Sequence, residues 1–311
     1  MIEFMRKLIL IGLILLSVSC FAQSKKHLFE NKQIKIEYHT KNGLMDGKYI
    51  SHYPNGKKKA EGHFKDNLRV GKWDVWDSTG KIHLEHTVKT DSLVKNVHGY
   101  FNYTYLKEAE VAVEKRVWRN ASKENNPLLF YDTDLFDTLS NLIRKDSLVI
   151  FKDEEFQTTR SKEDIKEHFS DKYEIISYKI KEDWFMDKKT NASEVRPLGL
   201  YLILRPKNSE GEENMGLGWI YFPQIRKIFA SQKIQDKHYP HITNLDEVFW
   251  YRHFTSQVYK ELNVYDRSIA SYAKTPEAAA LEAERVEMDM IELEHDYWLF
   301  GDKIIFHWEP K

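Results

Sequence analysis

Apolar and polar residues alternate along the N-terminal part of the chain, in short segments that are separated by turn residues. Residues 49–53 and 72–76 alternate aromatic or aliphatic side chains with polar ones, and Asn55-Gly56 or Thr79-Gly80 follows. A period of two is typical of strands with one buried face, and glycine at the turn permits a positive φ. The pattern therefore predicts serial β-hairpins.

These segments recur with a fixed spacing of 24 residues, which indicates a repeat architecture. Gly47-Lys48-Tyr49 recurs as Gly71-Lys72-Trp73, and Gly56-Lys57 recurs as Gly80-Lys81. The glycine, aromatic and Asn-Gly positions resemble the MORN type of repeat over residues 34–89. This resemblance implies an elongated antiparallel β-ribbon or meander, and it implies no reaction.

Helical and strand patterns alternate after about residue 110. Asp134 can cap a helix that carries Leu135 to Ile143, and residues 161–164 resemble a capping box. Aromatic and β-branched residues predict strands at 147–151, 173–184, 198–204 and 217–222. These strands favour a mixed or antiparallel sheet, so the predicted fold class is α+β.

Two longer helices are predicted near the C-terminus. Thr243 can cap a helix that extends from Leu245 to Leu262, and Thr275-Pro276-Glu277 begins a second one at its N-cap, N1 and N2 positions. In the second helix the apolar residues alternate at spacings of four and three: Ala279, Ala283, Val286, Met290, Leu293 and Tyr297. Such a seam needs a partner, which is either the sheet of the same domain or another subunit.

The first residues have the layout of a secretory signal peptide. Arg6 and Lys7 precede an uncharged apolar run, and small residues then lead to Ala22. The apolar run is too short for a membrane-spanning helix, and no other segment could span a bilayer. We predict cleavage between Ala22 and Gln23. Because Cys20 ends a near match to a lipoprotein box, lipidation at Cys20 stays an alternative.

Composition restricts the chemistry and suggests a boundary. Cys20 is the single cysteine, so a mature chain has no disulfide and no thiolate site. Lys and Arg outnumber Asp and Glu by 15 to 9 over residues 23–98, whereas the ratio is 30 to 38 over residues 99–311. We therefore predict a signal peptide (1–22), a repeat module (23–98) and an α+β domain (99–311) that folds without the module when it starts near Val97. Acids interrupt the basic residues, which argues against nucleic-acid binding.

Two clusters are candidates for catalysis or metal binding. A carboxylate beside an imidazole at 292–296 could act as acid and base, but neighbours in sequence do not share one helical face. We interpret Glu292, Glu294, His295 and Asp296 as a surface charge cluster. His83 and His86 would lie on opposite faces of a strand. The chain also lacks nucleotide-binding and nucleophile-elbow motifs, so we predict no catalytic, cofactor or metal residues and no enzyme.

Aromatic and arginine side chains in the second half of the chain are candidates for a protein interface. Such residues often anchor protein contacts, although most of them serve the core of their own domain. The candidates are Trp184, Trp219, Arg226, Trp250, Tyr251, Arg252 and Met290.

A series of motifs between residues 110 and 299 resembles the gliding-motility GldN/PorN family in order and spacing. The motifs are Arg116-Val117-Trp118, Asn126-Pro127-Leu128 with Tyr131, Leu135-Phe136-Asp137, Tyr178-Lys179-Ile180-Lys181, Arg196-Pro197-Leu198-Gly199, Trp219-Ile220-Tyr221-Phe222-Pro223 with Arg226, Tyr259 to Arg267, and Ile291 to Trp298.

The resemblance implies a periplasmic component of the type IX secretion system of Bacteroidota. Such a component joins a GldK/PorK-like outer-membrane lipoprotein in an oligomeric ring, with a GldM-like periplasmic protein as a further candidate partner. The family brings no catalytic residues, and the repeats before the domain depart from its usual pattern. The alternative function is a stand-alone envelope module whose repeats bind a protein, glycan or lipid.

Overall fold

The chain folds into two antiparallel sheets and a set of helices that pack on them. The computed structural model describes residues 22–88, 94–131, 135–165, 173–207 and 214–301. The rest of the predicted signal peptide, with Cys20, and the predicted cap Asp134 lie outside these ranges, whereas Ala22 and Gln23 are the first residues of a strand. The predicted α+β fold class is confirmed.

The first sheet is a six-stranded meander in which each strand pairs with the next. The predicted serial hairpins are thus confirmed, and the turn glycines Gly56 and Gly80 have φ values of 82° and 71°. An L side chain rarely adopts this conformation. The strands are β1 (Ala22–Leu28), β2 (Ile34–Lys41), β3 (Leu44–His52), β4 (Lys58–Lys65), β5 (Leu68–Trp76) and β6 (His83–Thr87).

One face of this sheet is lined by aromatic side chains from successive repeats. Tyr49 and Trp73, which are equivalent in the 24-residue repeat, are both buried, and their ring centroids lie 5.6 Å apart. The indole of Trp73 lies directly over the Cα of Gly62, so a side chain at that position would collide with the ring. The period of two therefore produces a continuous apolar face that must be covered.

The second sheet has five antiparallel strands in the order β10-β9-β8-β7-β11. Its predicted strands are confirmed, except that Phe151 forms only isolated bridges to Thr159 and Trp219. The chain turns there because the Asp153 carboxylate accepts backbone hydrogen bonds from two following residues. The strands are β7 (Val111–Ser122), β8 (Tyr173–Asp187), β9 (Ser193–Pro206), β10 (Met215–Tyr221) and β11 (Gln257–Glu261).

Several helices cover one face of the second sheet and close its main core. They are α1 (Leu135–Arg144), α2 (Lys162–Ile165), α3 (Phe222–Ser231) and α4 (Leu245–Trp250). The predicted helix from Leu245 to Leu262 is wrong after Trp250. Asn244, not Thr243, caps α4, Arg252 adopts a φ of 51°, and the chain then enters β11.

The last helix, α5 (Pro276–Phe300), contacts both sheets. It begins as predicted, with the Thr275 hydroxyl accepting a hydrogen bond of 3.1 Å from the backbone N–H of Ala278. Ala283, Val286 and Met290 pack against Val117 and Val258 of the second sheet. Because α5 packs on both sheets, the predicted boundary between a module at 23–98 and a domain at 99–311 stays a prediction.

Candidate functional site at the junction of the two sheets

One face of α5 packs on the second sheet, and its opposite face lies on the aromatic face of the first sheet. Met288, Ile291 and Trp298 form one buried cluster with Tyr49 and Trp73. The repeat module therefore covers its apolar face with a helix that lies more than 200 residues away in sequence.

The residues at 292–296 lie in this junction, so the predicted surface charge cluster is wrong. Glu292, Glu294 and His295 are buried. Glu292 and His295 are three residues apart and share the helical face that points at the repeat module. Glu294 lies beside this face and contacts Arg69. Asp296 lies at the margin and is partly exposed.

Side chains of the repeat module satisfy each of these carboxylates. The Tyr49 hydroxyl donates to Glu292 over 2.6 Å, and Lys59 lies 2.8 Å from Glu292 and 2.9 Å from Asp296. Arg69 lies 2.5 Å from Glu294, whose other oxygen accepts a hydrogen bond of 3.0 Å from Ser193 of β9. Burying an unpaired carboxylate is costly, so these pairs fix the position of the module on the helix.

Further ion pairs extend this complementarity toward the start of the helix. Lys25 lies 3.4 Å from Glu284, and Lys35 lies 3.4 Å from Asp289. The Tyr38 hydroxyl also donates to Glu284 over 2.6 Å, and the pKa of Glu284 falls to about 2 because it accepts hydrogen bonds from His27 and Tyr38. The unequal charge of the two halves thus has a structural role, since a basic sheet docks on an acidic helix.

His295 is enclosed by rings at the centre of the junction. Its ring centroid lies 5.5 Å from Tyr49, 5.0 Å from Trp73 and 5.4 Å from Trp298. Burial lowers its pKa from 6.5 to about 4, although the hydrogen bond to Glu292 opposes the shift. Burial would raise the pKa of Glu292, but the His295 hydrogen bond and the Lys59 charge hold that pKa well below its usual value.

The depressed pKa of His295 predicts that acid weakens the fold. Between pH 6.5 and 4 the unfolded chain binds a proton at this imidazole that the folded chain excludes, so stability falls as the pH falls. We expect this group to remove about 2 kcal/mol between pH 7 and pH 5. Denaturant titrations at both pH values, on the native protein and on His295→Gln, measure the difference in pH dependence.

The comparison with His295→Gln is needed because neighbouring groups also titrate. Burial raises the pKa of Glu294 and of Asp296, which gives a contribution of opposite sign. Glu292, Lys59, Arg69 and Tyr49 are the other ionisable groups that face the ring. Equal pH dependence in the two proteins would show that His295 is not the proton-linked group.

A second buried network lies where α5 meets the other sheet. Arg119 forms a short ion pair with Glu182 and donates to Glu287 of α5 over 3.0 Å, while Arg252 donates to Glu182 over 2.7 Å. Burial would raise the pKa of Glu182, but the two arginines lower it to about 2. This network holds the loop after α4 against β8.

The structure separates the predicted interface residues into two groups. Trp219, Arg226 and Met290 are buried within the chain, and Arg226 lies between the rings of Tyr100 and Tyr103 with its guanidinium paired to Asp246 at 2.7 Å. These three side chains pack within the chain itself, and their role in a protein interface stays a prediction. The partly exposed candidates are Trp184, Trp250, Tyr251 and Arg252.

The two histidines of β6 lie on opposite faces of the sheet, as predicted. His86 stacks on Trp298, while His83 bonds to Asp74 over 2.7 Å. Asp74, His83 and Glu85 bring ligand-type atoms within 4.8 Å of one another. The ammonium of Lys72, 2.6 Å from Glu85, supplies a positive charge to this exposed group, so we interpret it as a surface ion-pair cluster.

The junction holds the repeat module on the larger domain by burying paired charges and aromatic rings between them. The pair of Glu292 and His295 is covered by the first sheet and so is not open to solvent. Sequence reasoning missed Tyr49, Lys59 and Arg69 as the partners of the helix. The alternation in the repeats placed Tyr49 on the buried face, so its contact with another element could have been expected. Lys59 and Arg69 follow no pattern that distinguishes them from exposed basic residues.

The fold and junction define an α+β protein in which a β-repeat module is docked on a larger domain. The family described as gliding motility associated protein GldN matches residues 106–299, so the chain belongs to the GldN family. This membership makes it a component of the gliding-motility and type IX secretion apparatus. No curated protein matches the chain significantly. None of the helices among the described residues is long and apolar enough to cross a membrane.

Proposed function

We propose that the protein is a non-enzymatic structural component of the periplasm, where it forms a ring with a GldK/PorK-like outer-membrane lipoprotein. The family match over residues 106–299 is the observation that carries this proposal. The predicted signal peptide would deliver the chain to the periplasm. The dense ion pairs of α5 are consistent with a rigid subunit.

An exposed loop in the family region supports the role in assembly. Val264 is 88% exposed and Tyr265 is 62% exposed. The Asn263 side chain holds this loop through hydrogen bonds to the backbones of Glu261, Tyr265 and Arg267. A fixed loop that presents apolar side chains to solvent is suited to a protein contact.

Co-purification tests the proposal. We expect the tagged protein, isolated from envelope extracts of its host, to retain the lipoprotein in stoichiometric amount. Val264→Asp should lose it, because a charge would be buried at the contact. Ile82→Asp is the matched control, since Ile82 is 55% exposed and lies outside the family match. Retention by both variants would reject this loop as the contact, and absence of the lipoprotein from the native sample would reject the ring proposal.

The alternative of a stand-alone binding module is less well supported by the contacts. A ligand of the repeats would most readily use their aromatic face, but α5 covers that face. The outer face of the sheet carries cross-strand ion pairs such as Lys48 with Glu61 and Lys72 with Glu85.

A further inference from the structure

An open cleft of about 290 Å³ lies between the repeat module, α5 and the segment after α4. We propose that this cleft binds a short, uncharged, extended segment of a partner polypeptide. The proposal goes beyond the ring function and would stand if the ring partner were different.

The shape of the cleft favours an extended chain. Its helical wall is one face of α5, from Ala280 through Glu284 and Glu287 to Ile291. The eleven steps from Ala280 to Ile291 rise about 16 Å along the helix axis, which matches about five residues of extended peptide. Ala280 and Ala283 leave space along this wall because their side chains are small.

The segments that close the cleft are fixed in place. The side-chain amide of Asn67 in the β4–β5 turn donates to the backbone carbonyls of Arg252 and Phe254 over 3.0 and 3.3 Å. Gly43, in the β2–β3 turn, approaches Thr255 so closely that a side chain would not fit. Neither wall has to be ordered by the ligand, which lowers the entropic cost of binding.

The charges in the lining favour an uncharged ligand. Each charged residue of the lining already has an ion-pair partner within the chain: Lys25 with Glu284, Arg69 with Glu294, Arg252 with Glu182, and Glu287 with Arg119. A charged ligand would be desolvated there without gaining a free counter-charge.

Neutral polar groups and apolar side chains remain for recognition. Thr40 is 6% exposed, and it lies in the lining of the cleft. A threonine hydroxyl can donate to, or accept from, a peptide amide. Phe64, Met288 and Ile291, which belong to the buried cluster behind the cleft, give one end of the lining an apolar surface.

The methionines of the mature chain provide the experiment. Met45 and Met288 line the cleft, whereas Met186, Met215 and Met290 do not. We expect capped, uncharged pentapeptides with one Leu, Met or Phe to shift the ¹³C-methyl signals of Met45 and Met288 alone. The same peptides with a central Asp or Lys should bind more weakly.

A filled cleft is the matched test. Ala280→Trp should weaken peptide binding about tenfold or more, because the exposed alanine faces the cleft and the indole would occupy it. Ala278→Trp, an exposed substitution on the same helix outside the lining, should leave the dissociation constant within about twofold. Unmoved Met45 and Met288 signals at millimolar peptide would overturn the proposal. So would shifts caused by an N-acetylglucosamine trimer instead, since they would indicate a glycan site.

Discussion

A fragment that starts at Val97 is expected to lose cooperative unfolding. The change in charge near residue 98 instead suggested that this fragment would fold without the repeat module. Without the module, Met288, Ile291 and Trp298 of α5 are exposed to water. Each buried side chain of this size contributes about 1.5–3 kcal/mol, and the sum is a large part of the roughly 5–15 kcal/mol that typically stabilises a folded protein. Near-UV circular dichroism and thermal melting of the fragment measure the effect.

A matched control keeps the module and changes its solvent face. Lys72→Ala removes an exposed ion pair with Glu85 and should leave the melting temperature almost unchanged. If the Val97 fragment melted sharply with native aromatic signals, the second sheet and its own helices would suffice, and the module would be an accessory that merely rests on α5.

Met290→Asp is expected to destabilise the protein by about 4 kcal/mol or more. Met290 is buried against Val117 and Val258 of the second sheet, where a carboxylate would lose most of its hydration. The expected result is loss of the soluble folded monomer. Chemical denaturation with gel filtration measures both stability and association.

Leu281→Asp is the control for Met290→Asp, since Leu281 lies on the same helix and is 66% exposed. Its melting curve should stay close to that of the native protein. A folded Met290→Asp monomer that fails only to associate would mean that this seam contacts another subunit instead of its own sheet.

The pattern of apolar and polar residues predicted those strands and helices that have one buried face and one exposed face. The repeat period placed Tyr49 and Trp73 on one buried face, and Thr275-Pro276 marked the start of α5 because capping depends on neighbouring residues. The long strands β8 and β9 were found because their aromatic and β-branched residues extend over many positions.

Long-range contacts account for the errors. Glu292 and His295 resemble surface residues until the repeat sheet is placed on them, and their burial depends on Lys59 and Arg69 from a distant part of the chain. Helix α4 ended early because Arg252 turns to pair with Glu182 of β8, a partner that no local pattern identifies. The burial of Arg226 likewise depends on a partner that no local pattern identifies, Asp246.

The covering of the repeats by α5 also sets an order for folding. The sheet precedes its cover along the chain, and the hydrogen bond from Tyr49 to Glu292 joins residues 243 positions apart. Contacts of such separation form slowly, because the chain must close a long loop before they stabilise it. Until α5 is in place, the aromatic face of the repeat sheet has no cover, so an incompletely made chain exposes apolar rings that the finished protein buries.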